Sequence, residues 1–138
     1  MAHFAQLNEN NIVINVLVIE QTMIDTGLWG DPSRWFQTSF NTRGGIYYIP
    51  NTNTPDPDQT KAFRKNFAGI GDTYLVNGPS GEGFTKQQPY PSWKMNNFSY
   101  LFEPPIPMPI AQGYCSWDES ILNWSCLDKI IEIPIYPE

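Results

Sequence analysis

Apolar positions in this chain recur at short, even spacings between polar tips, the pattern of strands and tight turns. His3 to Leu7 and Ile12 to Ile19 flank the polar tip Asn8-Glu9-Asn10-Asn11 and predict a hairpin. Its second strand, IVINVLVI, is nearly continuous in β-branched residues, which predicts burial on both faces and a place at the centre of an amino-terminal sheet. From Glu20 to Arg34 the pattern weakens. Met23, Ile24 and Leu28 suit a short helical turn ended by Gly27 or Gly30, and Asp31-Pro32-Ser33 opens a turn. Trp35 to Asn41 alternates as a strand does, and Arg43-Gly44-Gly45 turns it into Ile46 to Ile49.

After Pro50, the ten residues NTNTPDPDQT are polar and proline-bearing, cannot bury apolar surface and predict an exposed loop. Its tip, Pro55, Asp56, Pro57 and Asp58, is a place for disorder or for contact with another chain. Beyond Phe63 and Phe67, Gly69 and Gly71 bracket Ile70 in a bend that feeds a strand from Thr73 to Val76. Asn77 to Gly81 is a strong turn, with a returning strand from Gly83 to Gln88.

A repeat follows. PYPSWKMNNFSYLF and GYCSWDESILNWSC align Ser92-Trp93 with Ser116-Trp117, and seven residues beyond each Trp stands Tyr100 or Trp124. Two aromatics at this spacing face each other across a tight hairpin, so Trp93 is expected opposite Tyr100 and Trp117 opposite Trp124. Asn96-Asn97 suits the first tip. The second register sets Cys115 against Cys126, within reach of a disulfide, although a reducing cytoplasm favours two buried thiols. The stiff PPIPMP segment joins the hairpins. In the tail, Ile131, Ile133, Ile135 and Tyr136 suit an edge strand that either joins a partner's sheet or closes the chain's own. The expected fold is mainly β, built of short antiparallel strands and hairpins with Pro/Gly-rich loops and little helix. The expected parts are a β domain at 1–88, two aromatic hairpins at 89–129 and an extended arm at 130–138.

Composition narrows the function more than it names it. A net charge of −6 over 138 residues, with only 8 basic side chains, argues against a nucleic-acid partner, since phosphate binding needs clustered Lys and Arg. The densest basic stretch, Lys61 to Lys65, holds three charges and reads as a solvated face or a salt bridge to a neighbour. No segment approaches the roughly 20 apolar residues that span a bilayer. The opening MAHFAQLNENN lacks the form of a secretion signal, so synthesis in a cytoplasm is expected.

Candidate chemistry is thin. His3 has no second His or Cys nearby to make a zinc site and reads as a hydrogen-bonded strand histidine. Gly69-Ile70-Gly71 lacks the rest of a nucleotide loop, and Asp56 and Asp58 lack the Glu and turn glycine of a calcium loop. Asp118 and Glu119 are adjacent in a hairpin and point to opposite sides, unlike a general acid–base pair. No Ser-His-Asp or Cys-His set exists, so neither an enzyme nor a cofactor is expected. The aromatic ladder of Trp93, Tyr100, Trp117 and Trp124 suits either the core of two small hairpins or a platform for sugar rings.

The blocks MAHFAQLNENNIV, WFQTSFNTRGG, FRKNFAGIGDTY, PYPSW and YCSWDESILNW, in this order, resemble a family of small proteins of tailed bacteriophages, especially phages of cyanobacteria and other aquatic bacteria. The likeness covers roughly two thirds of the chain. It departs at Tyr74-Leu75, where other members continue Tyr-Asp, and at Phe84 to Gln88, where they carry a more apolar proline run. The resemblance implies a structural virion component and no reaction. Acidity then favours the outside of the particle, away from the DNA. The leading expectation is a non-enzymatic capsid decoration or cement protein, present in many copies on the outer surface of the major capsid protein shell. A neck, tail or baseplate accessory role holding a fibre, and a carbohydrate-binding module for host recognition, are the alternatives.

Overall fold

Strands β1 (Ala2–Leu7) and β2 (Val13–Ile19) form the expected hairpin, and β3 (Trp35–Thr38) joins it on the far side of β1. The computed structural model describes residues 2–110 and 114–127 of the chain. The described residues fall into two units. The first takes residues 2–87 and 95–101; the second takes 88–94 and those from 102 on. The 1–88 domain thus gains a distant segment, because Tyr100 is buried there. The expected arm residues Ile131, Ile133, Ile135 and Tyr136 lie outside the described residues. Short antiparallel strands dominate, with one five-residue α-helix among the described residues, so the protein is mainly β.

In the first unit the sheet order is β2-β1-β3, which places β1 and not β2 at the centre. Continuous β-branching marks a good strand, but which strand lies in the middle depends on what packs on each side. Ile14 and Val18 of β2 are exposed, whereas β1 buries side chains on both faces. On one face Phe4 packs with Ile19, Trp35 and Ile24, the buried residue of helix α1 (Gln21–Asp25). Gly27, at φ +78, follows the helix end, and the Trp35 indole N–H donates to the Trp29 carbonyl at 3.2 Å. On the other face Ala5 and Leu7 pack with Val13, Ala68, Tyr74 and Phe84. Burying a side chain of this size stabilises by about 1.5–3 kcal/mol.

Tyr74 and Phe84 come from the hairpin of β6 (Thr73–Gly78) and β7 (Gly81–Thr85), where they stand opposite each other. This hairpin is fastened to the first by Val13 N–H to the Asp72 carbonyl at 2.8 Å and Tyr74 N–H to the Asn11 carbonyl at 2.8 Å. A buried amide ties the loops around it. Asn66 Oδ1 accepts from Gly44 N–H at 2.8 Å, while Nδ2 donates to the carbonyls of Phe84 at 3.0 Å and Ser99 at 2.8 Å. Gly44 and Gly45 supply the positive φ that turns β4 (Thr42–Arg43) into β5 (Ile46–Tyr47). The exposed tip at Pro55, Pro57 and Asp58 is structured: Asp56 N–H donates to the Tyr47 carbonyl at 3.0 Å. The Gln59 side chain also holds the Tyr47 backbone, accepting from its N–H and donating to its carbonyl, both at 2.8 Å.

β8 (Lys94–Met95) and β9 (Phe102–Glu103) bracket the 95–101 segment. In the second unit, β10 (Cys115–Asp118) and β11 (Asn123–Cys126) pair antiparallel.

Candidate functional site

The second unit gathers three tryptophans. The β10–β11 register sets Trp117 opposite Trp124, with ring centroids 5.4 Å apart and planes at 80°, and sets Cys115 opposite Cys126. Alternation puts all four on one face of the hairpin. The two cysteines form a disulfide, in place of the expected thiols. Directly opposed residues two positions from the Trp pair are close enough to bond, and local geometry decides this more directly than any presumed compartment.

The third ring is Trp93, which the repeat paired with Tyr100. That pairing does not form. Tyr100 takes φ +58 and is fully buried in the first unit, while Trp93 lies 5.9 Å edge-on from Trp117 and 6.1 Å from Trp124. Tyr90 adds a further ring 5.6 Å from Trp93. Residues 95–101 are also not a mirror of the second hairpin: Asn96 Oδ1 accepts from the amides of Phe98 at 2.8 Å and Ser99 at 2.9 Å, curling the tip on itself.

Glu119 organises this cluster. Its Oε1 accepts the Trp117 indole N–H and the Ser92 hydroxyl, both at 2.8 Å, and its Oε2 accepts Ser92 N–H at 3.2 Å. The indole bond above all, helped by Ser92, holds the carboxyl below its ordinary range against the opposing effect of desolvation. Neighbouring Asp118 is engaged separately, its Oδ1 accepting from the Ser120 hydroxyl at 2.6 Å and amide at 3.0 Å, and it too is held low. The adjacent carboxylates therefore serve two different turns. The sequence brings Glu119 forward only beside Asp118 as an acid–base pair and gives no sign of this bridge, because its partners are 2 and 27 residues away with no shared period.

Trp93 and Trp124 border a groove of about 460 Å³ completed by Glu103, Pro104, Pro107 and Met108. The Trp124 indole N–H donates to the Ile106 carbonyl at 2.7 Å, which ties the proline-rich segment to the hairpin. The Trp93 indole nitrogen is buried with no hydrogen-bond partner among the described residues. Trp117 is the sole large apolar side chain buried among the described residues of this unit. Met108, Ile110, Tyr114, Ile121, Leu122 and Leu127 are exposed.

The remaining candidates have structural partners. The ring of His3 makes no hydrogen bond to a described residue; instead it stacks on Phe40 at 5.9 Å and meets Phe67 edge-on at 5.4 Å, because loops beyond β3 and before β6 bring those two rings against it. Gly69 N–H donates to Asp72 Oδ2 at 2.8 Å, so the Gly-Ile-Gly bend has its amide occupied from within. In the basic stretch, Arg64 pairs with Glu82 at 3.3 Å, and Lys65 Nζ lies 4.0 Å from the centre of the Phe98 ring. Asp56 and Asp58 each cap a turn through the amide two residues on, and Asp58 is held low chiefly by the Thr60 amide. Among the described residues no group of three or more His, Cys, Asp or Glu side chains is placed to hold a metal, and no helix is long and apolar enough to cross a membrane. Set beside known proteins, the chain matches no family model, no curated protein and no solved structure.

Proposed function

We propose that this protein is a non-enzymatic structural component of a tailed-phage particle and that its second unit docks on another virion protein. The observation that carries the reading is the inverted balance of that unit. Its rings are locked by a disulfide and by Glu119, yet Met108, Ile110 and Leu127, at 58%, 99% and 69% exposure, are left on the surface. Apolar surface left exposed on a stapled scaffold marks an interaction face. The resemblance of the sequence blocks to those of tailed-phage proteins supports this setting, and the acidity of the chain favours the outer surface of the capsid shell over its DNA-lined interior.

Copy number and position test the proposal together. Quantitative mass spectrometry of purified particles is expected to find the chain at a stoichiometry tied to the shell subunits, with cryo-microscopy placing it outside the capsid. A low copy number with density at the neck, tail or baseplate moves the docking partner there. Absence from infectious particles rejects the virion reading altogether.

A further inference from the structure

The first unit carries a second groove, of about 520 Å³, lined by Ala2 and His3 of β1, by Gln37 to Asn41 at the end of β3, and by Tyr47, Lys61 and Phe63. We propose that it binds an acidic saccharide, a pyranose chain bearing carboxylates.

Three features carry the assignment. Phe40 is 64% exposed, yet its ring is held: His3 stacks on it with planes 19° apart, and Phe67 meets it edge-on at 5.2 Å. A fixed, open aromatic ring gives the C–H face of a sugar an apolar platform at little entropic cost. Around it, the side chains of Ser39, Asn41, Tyr47 and Lys61 make no hydrogen bond to any described residue; the bonds at Tyr47 use its backbone. An amide and hydroxyls free of partners in a groove beside an open aromatic ring suit a polyhydroxylated ligand.

Charge selects the acidic sugar. In a chain of net charge −6, no carboxylate lines this groove, and Lys61 gives it a positive charge. Asp58 feels the Lys61 charge, but its carboxylate accepts the Thr60 amide at 3.0 Å and lies outside the lining. A peptide strand is a poorer fit to the β3 edge, because the Gln37 carbonyl already accepts from Arg64 at 3.1 Å.

His3 is the chain's single histidine, so its ring protons are a unique NMR reporter inside the groove. Titrating the full-length protein with a short oligogalacturonate is expected to shift those resonances saturably, with an affinity in the sub-millimolar range and weakening as salt rises. Phe40→Ala and Lys61→Gln, both at exposed positions, are each expected to weaken binding about tenfold. Trp124→Ala in the other unit leaves it unchanged. No shift at saturating oligogalacturonate rejects the site. So does equal binding of a neutral galacto-oligosaccharide or of polyglutamate, since charge or ring alone then suffices. Loss in Trp124→Ala with retention in Phe40→Ala assigns any binding to the tryptophan cluster and likewise overturns the proposal.

Discussion

Trp117 and Glu119 are joined across a tight turn: the indole N–H donates to Oε1 at 2.8 Å, and the same carboxylate accepts both the hydroxyl and the amide of Ser92. The hairpin thereby grips the segment that carries Trp93. Three tryptophans meet because one half-buried acid bridges two stretches that are distant in sequence.

That bridge has a pH signature. The folded-state pKa of Glu119 is depressed from its ordinary 4.5 by its hydrogen bonds. A depressed acid contributes stability above its unfolded pKa, and the contribution is lost as pH falls through the lower folded value. Asp118, held low by Ser120, acts in the same direction. The Tm of the tryptophan cluster, followed by near-ultraviolet circular dichroism, is therefore expected to fall on acidification below about pH 4.5. Glu119→Gln should melt earlier than the parent at pH 7, and the gap should close in acid. A gap that persists unchanged at low pH means the carboxylate charge is irrelevant.

The disulfide does comparable work in the same unit. Cys115 and Cys126 close a loop 11 residues apart in sequence, and a loop of that size stabilises by about 2–3 kcal/mol in the chain-entropy picture. With Trp117 as its main buried ring, this unit has little other reserve. Reduction, or Cys115→Ser with Cys126→Ser, is expected to collapse the indole N–H resonances of Trp117 and Trp124 while that of Trp35, in the core of the first unit, persists. Simultaneous loss of all three would mean the two units unfold as one.

How much of this was legible in the sequence depended on range. Trp117, Trp124, Cys115 and Cys126 follow from a two-residue period about a tight turn, and the hairpin at Asn8 to Asn11 from a polar tip between apolar runs. Both are local signals. Trp93 and Tyr100 have the same spacing, yet they separate, because a buried slot in the first unit takes the tyrosine and no local rule encodes that competition. The centrality of β1 was hidden for a similar reason. Val13 to Ile19 has the stronger β-propensity, but Ala2–Leu7 has neighbours on both sides. The groove around His3 and Phe40 assembles residues from four separated stretches, and only the fold brings them together.

Asn66 shows what a sequence pass misses at a single position. It is 1% exposed, and its amide satisfies Gly44, Phe84 and Ser99 at once. Asn66→Ala is expected to cost about 2–4 kcal/mol, since one buried and two half-buried backbone groups lose their partner. Asn66→Asp should be worse, because the Phe84 and Ser99 carbonyls would then face a carboxylate in place of an N–H donor. Urea denaturation of the first unit measures both, and equal stability of the two variants would mean that water replaces the lost donors.

Tyr100 is the other fixed point of the first unit. Its hydroxyl donates to the Gly81 carbonyl at 2.6 Å and accepts Ser80 N–H at 2.9 Å. The backbone of Gly78 runs so close that a Cβ there would collide with the hydroxyl, and would also lie 2.8 Å from the Gly81 carbonyl oxygen. Tyr100→Phe, which strands one donor and one acceptor, should cost about 1–3 kcal/mol. Tyr100→Ala, which also empties the slot, should cost about 3–5 kcal/mol. Gly78→Ala should destabilise by about 1–3 kcal/mol through overpacking. Combined with Tyr100→Ala it should cost less than the sum, because the hydroxyl clash is gone, but more than nothing, because the carbonyl clash stays. Strict additivity in the denaturation cycle would place the two residues out of contact and remove Tyr100 as the reason for a glycine at this position.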